Sequence, residues 1–175
     1  MRFHRLLTAA AILAISVTAH ADTFSFSLSG PSDNGSGIIT AAPTGTPGEF
    51  LITAITGTFD GSAIAALLPV GTFPSSLPPE NDNLFFYPDT AGAFDESGVS
   101  FVTASALDVN IFYGYFTSLS GLTTGPDYFV VEGTDTVNDV TSFTATDPTP
   151  EPSSILLVGS GLLGLTAAIR RRITS

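Results

Sequence analysis

Between Asp22 and Pro150 every side chain that ionises near neutral pH is a carboxylate, because the span holds no Lys, Arg, His or Cys. Chemistry in this stretch must run on Asp and Glu, supported by hydroxyls and amides. Glycoside hydrolysis is the common reaction that needs only two carboxyl groups, one as acid and one as base or nucleophile. The candidate acids are Glu80, Asp82, Asp95, Glu96, Asp108, Glu132, Asp135 and Asp139. Their spacing selects no pair, and the chain has no Trp to form a sugar platform. The competing reading is that these acids sit in loops and keep the surface soluble.

Calcium suits the same residues better, because hard oxygen donors are what Ca²⁺ takes and secreted modules often bind it weakly. The candidate ligands are Glu80, Asp82 and Asn83, within the run Glu80-Asn81-Asp82-Asn83. Asp95-Glu96 and Asp135-Thr136-Val137-Asn138-Asp139 come next. None follows the EF-hand loop pattern, and Asn and Asp are also ordinary turn formers. No other cofactor is implied. A further possibility lies in Ile111-Phe112-Tyr113-Gly114-Tyr115-Phe116, where strand alternation puts Tyr113 and Tyr115 on one face. That face could stack against a sugar; cross-strand core packing is the plainer use of such rings.

The charge arrangement excludes more than it offers. The chain has 16 acidic and five basic residues, and its formal net charge is −11. All five basic residues are arginines at the two ends: Arg2, Arg5, Arg170, Arg171 and Arg172. No basic face exists to displace phosphate counterions, so nucleic acid is excluded as a partner. Disulfides, thiolate catalysis, zinc fingers and Ser-His-Asp triads are equally out of reach in the middle of the chain.

The elements that would position these residues are strands. The middle is rich in Thr, Ser, Gly, Phe, Val and Ile, a composition that favours strands over helices. Thr23-Phe24-Ser25-Phe26-Ser27-Leu28-Ser29 alternates strictly, which predicts a half-buried strand with Phe24, Phe26 and Leu28 on one face. Further strands are expected at 37–40, 49–59, 63–68, 83–87, 98–104, 107–116, 128–132 and 140–145. Asp60-Gly61 is a hairpin turn signal, since both residues accept positive φ. Eight or nine short strands without an amphipathic helix predict an all-β passenger at residues 22–146, an antiparallel β-sandwich of jelly-roll type. Residues 147–154 form a Pro-rich linker by composition.

Both ends read as targeting segments. Residues 1–21 have the form of a signal peptide: Arg2 and Arg5 precede an apolar stretch from Leu6 to Val17. Ala19 and Ala21 supply the small residues that signal peptidase needs, with cleavage after Ala21. At the other end, residues 155–169 form an uncharged apolar run rich in Leu and Gly, followed by an Arg-rich tail at 170–175. From Ser153 to Ile169 a helix would extend about 25 Å, nearly a bilayer span, with the arginines snorkelling to the headgroups. A transmembrane helix is expected, with Arg170, Arg171 and Arg172 as its cytoplasmic anchor and the passenger outside.

The order Pro150-Glu151-Pro152, apolar Gly/Leu helix and terminal Arg cluster closely resembles the PEP-CTERM sorting signal of Gram-negative bacteria. The resemblance covers Thr149 to the end of the chain. It implies an exosortase-like processing enzyme as partner, cutting near Pro150-Glu151-Pro152, and a passenger sent to the cell surface or released, often beside exopolysaccharide. The stretch from Gly48 to Gly61, with Asn81-Asp82-Asn83-Leu84, also looks like passenger domains of other such proteins. The resulting expectation is a non-catalytic surface or matrix protein associated with exopolysaccharide or biofilm. It would pass through an inner-membrane-anchored precursor with its domain in the periplasm. The alternatives are a calcium-dependent carbohydrate-binding module and a carboxylate-only glycosidase.

Overall fold

Alternation carries directly into structure at the first strand. In the computed structural model, β1 (Asp22–Ser29) buries Phe24, Phe26 and Leu28 and exposes the serines between them. The structure describes residues 21–74, 80–89, 91–115, 126–134, 136–140 and 142–147. The expected transmembrane helix, and the expected signal peptide except for Ala21, lie outside these residues. Among the described residues no helix is long and apolar enough to cross a membrane.

The remaining strands are β2 (Asn34–Pro43), β3 (Glu49–Phe59), β4 (Ser62–Leu67), β5 (Leu84–Phe86), β6 (Val99–Thr103), β7 (Asp108–Gly114), β8 (Asp127–Glu132), β9 (Thr136–Val140) and β10 (Ser142–Thr146). Every pairing is antiparallel. The all-β, antiparallel expectation therefore holds. Its jelly-roll sandwich does not: the strands form one sheet in the order β10-β1-β2-β3-β4-β6-β7-β8-β9, with β5 paired to β3. Short connections explain the difference. Asp60 and Gly61 both take positive φ, and Phe59 pairs with Ser62 across a two-residue turn. Sequence neighbours from β1 to β4 and from β6 to β9 pair directly, while β5 returns to β3 and β10 to β1, so the chain mostly meanders where a jelly roll would cross over.

The sheet curls around its own core. Phe143 of β10 packs its ring against Tyr128 of β8 at 5.5 Å and against Phe94 at 4.7 Å, so strands near opposite ends of the order meet. One cluster joins Phe24 and Phe26 with Ile39, Ile55, Phe59, Phe101, Ile111, Val130 and Val140, and burial of this apolar surface is the main folding force. A bulge between Thr40 and Ala41 shifts the register of β2 on β3, so Ile52, Ile55 and Phe59 all reach the core despite irregular spacing.

A second, smaller cluster forms on the outer face of β7 and β8, where Phe112, Phe129 and Val131 are covered by Phe73 from the β4–β5 connection. This cover accounts for the unbroken apolar run Phe129-Val130-Val131, buried on both faces. One element was not expected. The segment read as an acidic turn contains β9, in which Val130 pairs with Asn138 and Val131 with Val137.

Candidate functional site

The connection from β4 to β6 carries four of the eight candidate acids, Glu80, Asp82, Asp95 and Glu96, and it is tied down by two buried asparagines. Asn81 is completely buried: its Oδ1 accepts the N–H groups of Thr72 (3.1 Å) and Phe73 (3.0 Å). Its Nδ2 donates to Pro69 O and to Asn83 Oδ1. Asn83, 2% exposed and at φ +58°, donates to Leu68 O and accepts the Ser100 N–H. Asn tolerates that left-handed backbone better than most side chains. These amides bond the backbone of Leu68, Pro69, Thr72 and Phe73 and the Ser100 N–H of β6, satisfying groups that burial would otherwise strand.

The structure places Glu80, Asp82 and Asn83, the expected calcium ligands, in different surroundings. Asn83 has both lone pairs engaged by Asn81 and Ser100, while Glu80 is exposed and reaches over Gly71. Asp82 faces Asp95 and accepts the Leu84 N–H at 2.9 Å. Burial is the main reason its carboxyl is pushed up to about 6, with the Asp95 carboxylate adding to the shift. Asp95 in turn accepts the N–H groups of Ser97 (2.9 Å) and Gly98 (3.2 Å). Both acids thus anchor tight turns while repelling one another.

Asp95 also borders a cleft of about 390 Å³ whose walls include Phe86, Phe94, Glu96, Tyr113 and Tyr115. The two tyrosines singled out by alternation do share this cleft, but unequally. The Tyr113 ring packs on Tyr128 at 4.9 Å, whereas Tyr115 is 62% exposed. Tyr128 secures the far wall, donating its hydroxyl to Asp89 Oδ2 and accepting the Ala93 N–H, at 2.8 and 2.7 Å. Burial, with the Asp89 carboxylate beside it, raises the ionisation of this phenol well above its ordinary range.

A different set of acids converges. Asp33 in the β1–β2 turn, Asp60 in the β3–β4 turn and Glu132 at the end of β8 bring their carboxylates together. Burial, then the charge of Glu132, pushes Asp33 up to about 6, and burial also raises Glu132. Glu132 was one of many candidate acids; Asp33 was not among them, and Asp60 was read only as a turn residue. The three are far apart in sequence, and no local spacing marks them. Among the described residues no other candidate acid joins them, and Asp108 starts β7; the side chains of Asp135 and Asp139 lie outside the described residues.

Pro150, Glu151, Pro152, Arg170, Arg171 and Arg172, like Ala19, lie outside the described residues, whereas Ala21 immediately precedes β1. The sequence comparison addresses the C-terminal group directly. Residues 148–172 match the family model for the PEP-CTERM protein-sorting motif. The motif implies export and processing by an exosortase. No curated protein and no solved structure matches the chain.

Proposed function

We propose that the chain is a non-catalytic surface or extracellular-matrix protein, anchored briefly in the inner membrane by its C-terminal helix and then released for association with exopolysaccharide. The observation that carries this reading is the PEP-CTERM motif at residues 148–172. It follows directly on the described β domain, whose last strand ends at Thr146. Pro150 and Pro152 cannot join a helix interior or a sheet ladder, so a processing enzyme would meet an extended segment between domain and membrane. A non-catalytic passenger also fits the acids, since Asp82 and Asp95 are engaged in holding turns. The intact mass of the protein from its native host tests the reading. The expected species begins at Asp22 and ends near Glu151; a species retaining both termini overturns it.

Glycan recognition is the second reading, favoured by one observation: exposed Tyr115 stands with Glu96 at the edge of an aromatic cleft. Stacking on such a ring contributes about 0.5–1.5 kcal/mol beyond area burial. Tyr115→Ala should therefore weaken exopolysaccharide retention in a pull-down by several-fold while leaving the melting temperature unchanged. Equal retention by the variant removes this reading.

A further inference from the structure

The convergence of Asp33, Asp60 and Glu132 has no partner of opposite sign inside the domain. Their candidate ligand oxygens all lie within 4.8 Å of one another. From Asp22 to Pro150 the sequence offers no Lys, Arg or His to offset three carboxylates. Asp33 makes the arrangement pointed. It is 2% exposed, its Oδ1 accepts from Asn138 Nδ2 at 3.2 Å, and its Oδ2 is buried with no hydrogen-bond partner. A buried carboxylate oxygen without a donor is costly unless something positive meets it.

We propose that Asp33, Asp60 and Glu132 form a calcium site at the end of the curled sheet, where the β1–β2 turn, the β3–β4 turn and the tip of β8 come together. Donor chemistry selects calcium. Three carboxylates brought by separate turns suit the flexible oxygen coordination of Ca²⁺, whereas Mg²⁺ demands near-ideal octahedral geometry and usually takes only one or two carboxylates. The donors are all hard oxygens, and no His or Cys is present to favour zinc or copper. The scaffold is already braced. Asp60 Oδ1 accepts the Asn34 N–H at 2.7 Å while Asn34 O accepts the Asp60 N–H at 2.8 Å, which locks the two turns together. Glu132 is fixed by pairing with Val109 on one side and Thr136 on the other. The ion would tie the two hairpin turns to β8, across a seam that no backbone pairing bridges among the described residues. The site stands independently of the sorting route and of the aromatic cleft.

Calorimetry and thermal melting on the full-length chain in detergent, stripped with chelator at neutral pH, provide the test. Titration with CaCl₂ should give a single isotherm with Kd of about 10⁻⁴–10⁻³ M, the range of extracellular modules. Millimolar calcium should raise the melting temperature by several degrees, more than Mg²⁺ does at the same concentration. Asp33→Asn keeps the shape and the Asn138 contact, and Glu132→Gln changes a less buried position. Each should weaken calcium binding at least tenfold, while Asp82→Asn leaves it intact. If Asp33→Asn fails to fold, Glu132→Gln decides alone. No isotherm, binding that survives Glu132→Gln, or an equal response to Mg²⁺ overturns the proposal.

Discussion

At the residue scale, two asparagines do what the sequence suggested acids would do: they gather oxygen and nitrogen atoms around one point. Asn81 alone makes four hydrogen bonds, two of them to backbone N–H groups of the segment carrying Phe73. Asn81→Ala leaves the Phe73 N–H without an acceptor and the Thr72 N–H with only Pro69 O at 3.3 Å, and should cost about 1–3 kcal/mol, read by urea denaturation. Asp82 works in the other direction. Its folded-state carboxyl sits near 6, above its ordinary 3.8, so the native state holds a proton that the unfolded chain has released. Stability should rise as pH falls from 7 towards about 4 and be lost as pH climbs through 6. Asp82→Asn keeps an oxygen for the Leu84 N–H and removes the charge. It should stabilise the fold at pH 7 by on the order of 1 kcal/mol, discounted for partial exposure, and flatten the pH slope. A melting temperature lower than wild type at pH 7 would contradict this account.

At the element scale, a close strand crossing depends on two glycines. Gly37 faces Gly57 across the β2–β3 ladder, and Gly57 adopts φ +139°. A Cβ on Gly37 would collide with backbone at Thr56 and Gly57 and with the Phe26 ring. Gly37→Ala should therefore destabilise by about 2–3 kcal/mol despite being a single methyl group on a strand. The β3–β4 hairpin was legible in the sequence because Asp60-Gly61 is a local signal with a local cause. β9 was not: Thr136-Val137-Asn138-Asp139-Val140 alternates too briefly, and its acids and amide mimic a turn. What makes it a strand is the free edge of β8 beside it, which gives its backbone partners at every position from Thr136 to Val140. The β2 strand, expected only at 37–40, extends to Asn34–Pro43 for the same reason, supported on both sides by β1 and β3.

At the scale of the whole molecule, the domain is polyanionic with no internal counter-charge, so its charges only repel. Raising NaCl from about 0.01 M to about 1 M shortens the screening length from ~30 Å to ~3 Å and should raise the melting temperature steadily, even with chelator present. A midpoint insensitive to salt would show that the acids lie too far apart to matter. The sorting motif and the strand-rich middle are legible along the chain: arginines confined to the ends, the Pro-Glu-Pro tract before an apolar run, and alternating residues that favour strands. Those signals are contiguous, so reading along the chain suffices. The tertiary structure alone decided that the strands meander in one curled sheet, and that Asn81 and Asn83 are buried supports. It also decided that Asp33, Asp60 and Glu132 meet. Their encounter follows from curvature and register, which bring together the ends of separate hairpins, and no spacing along a single strand encodes it.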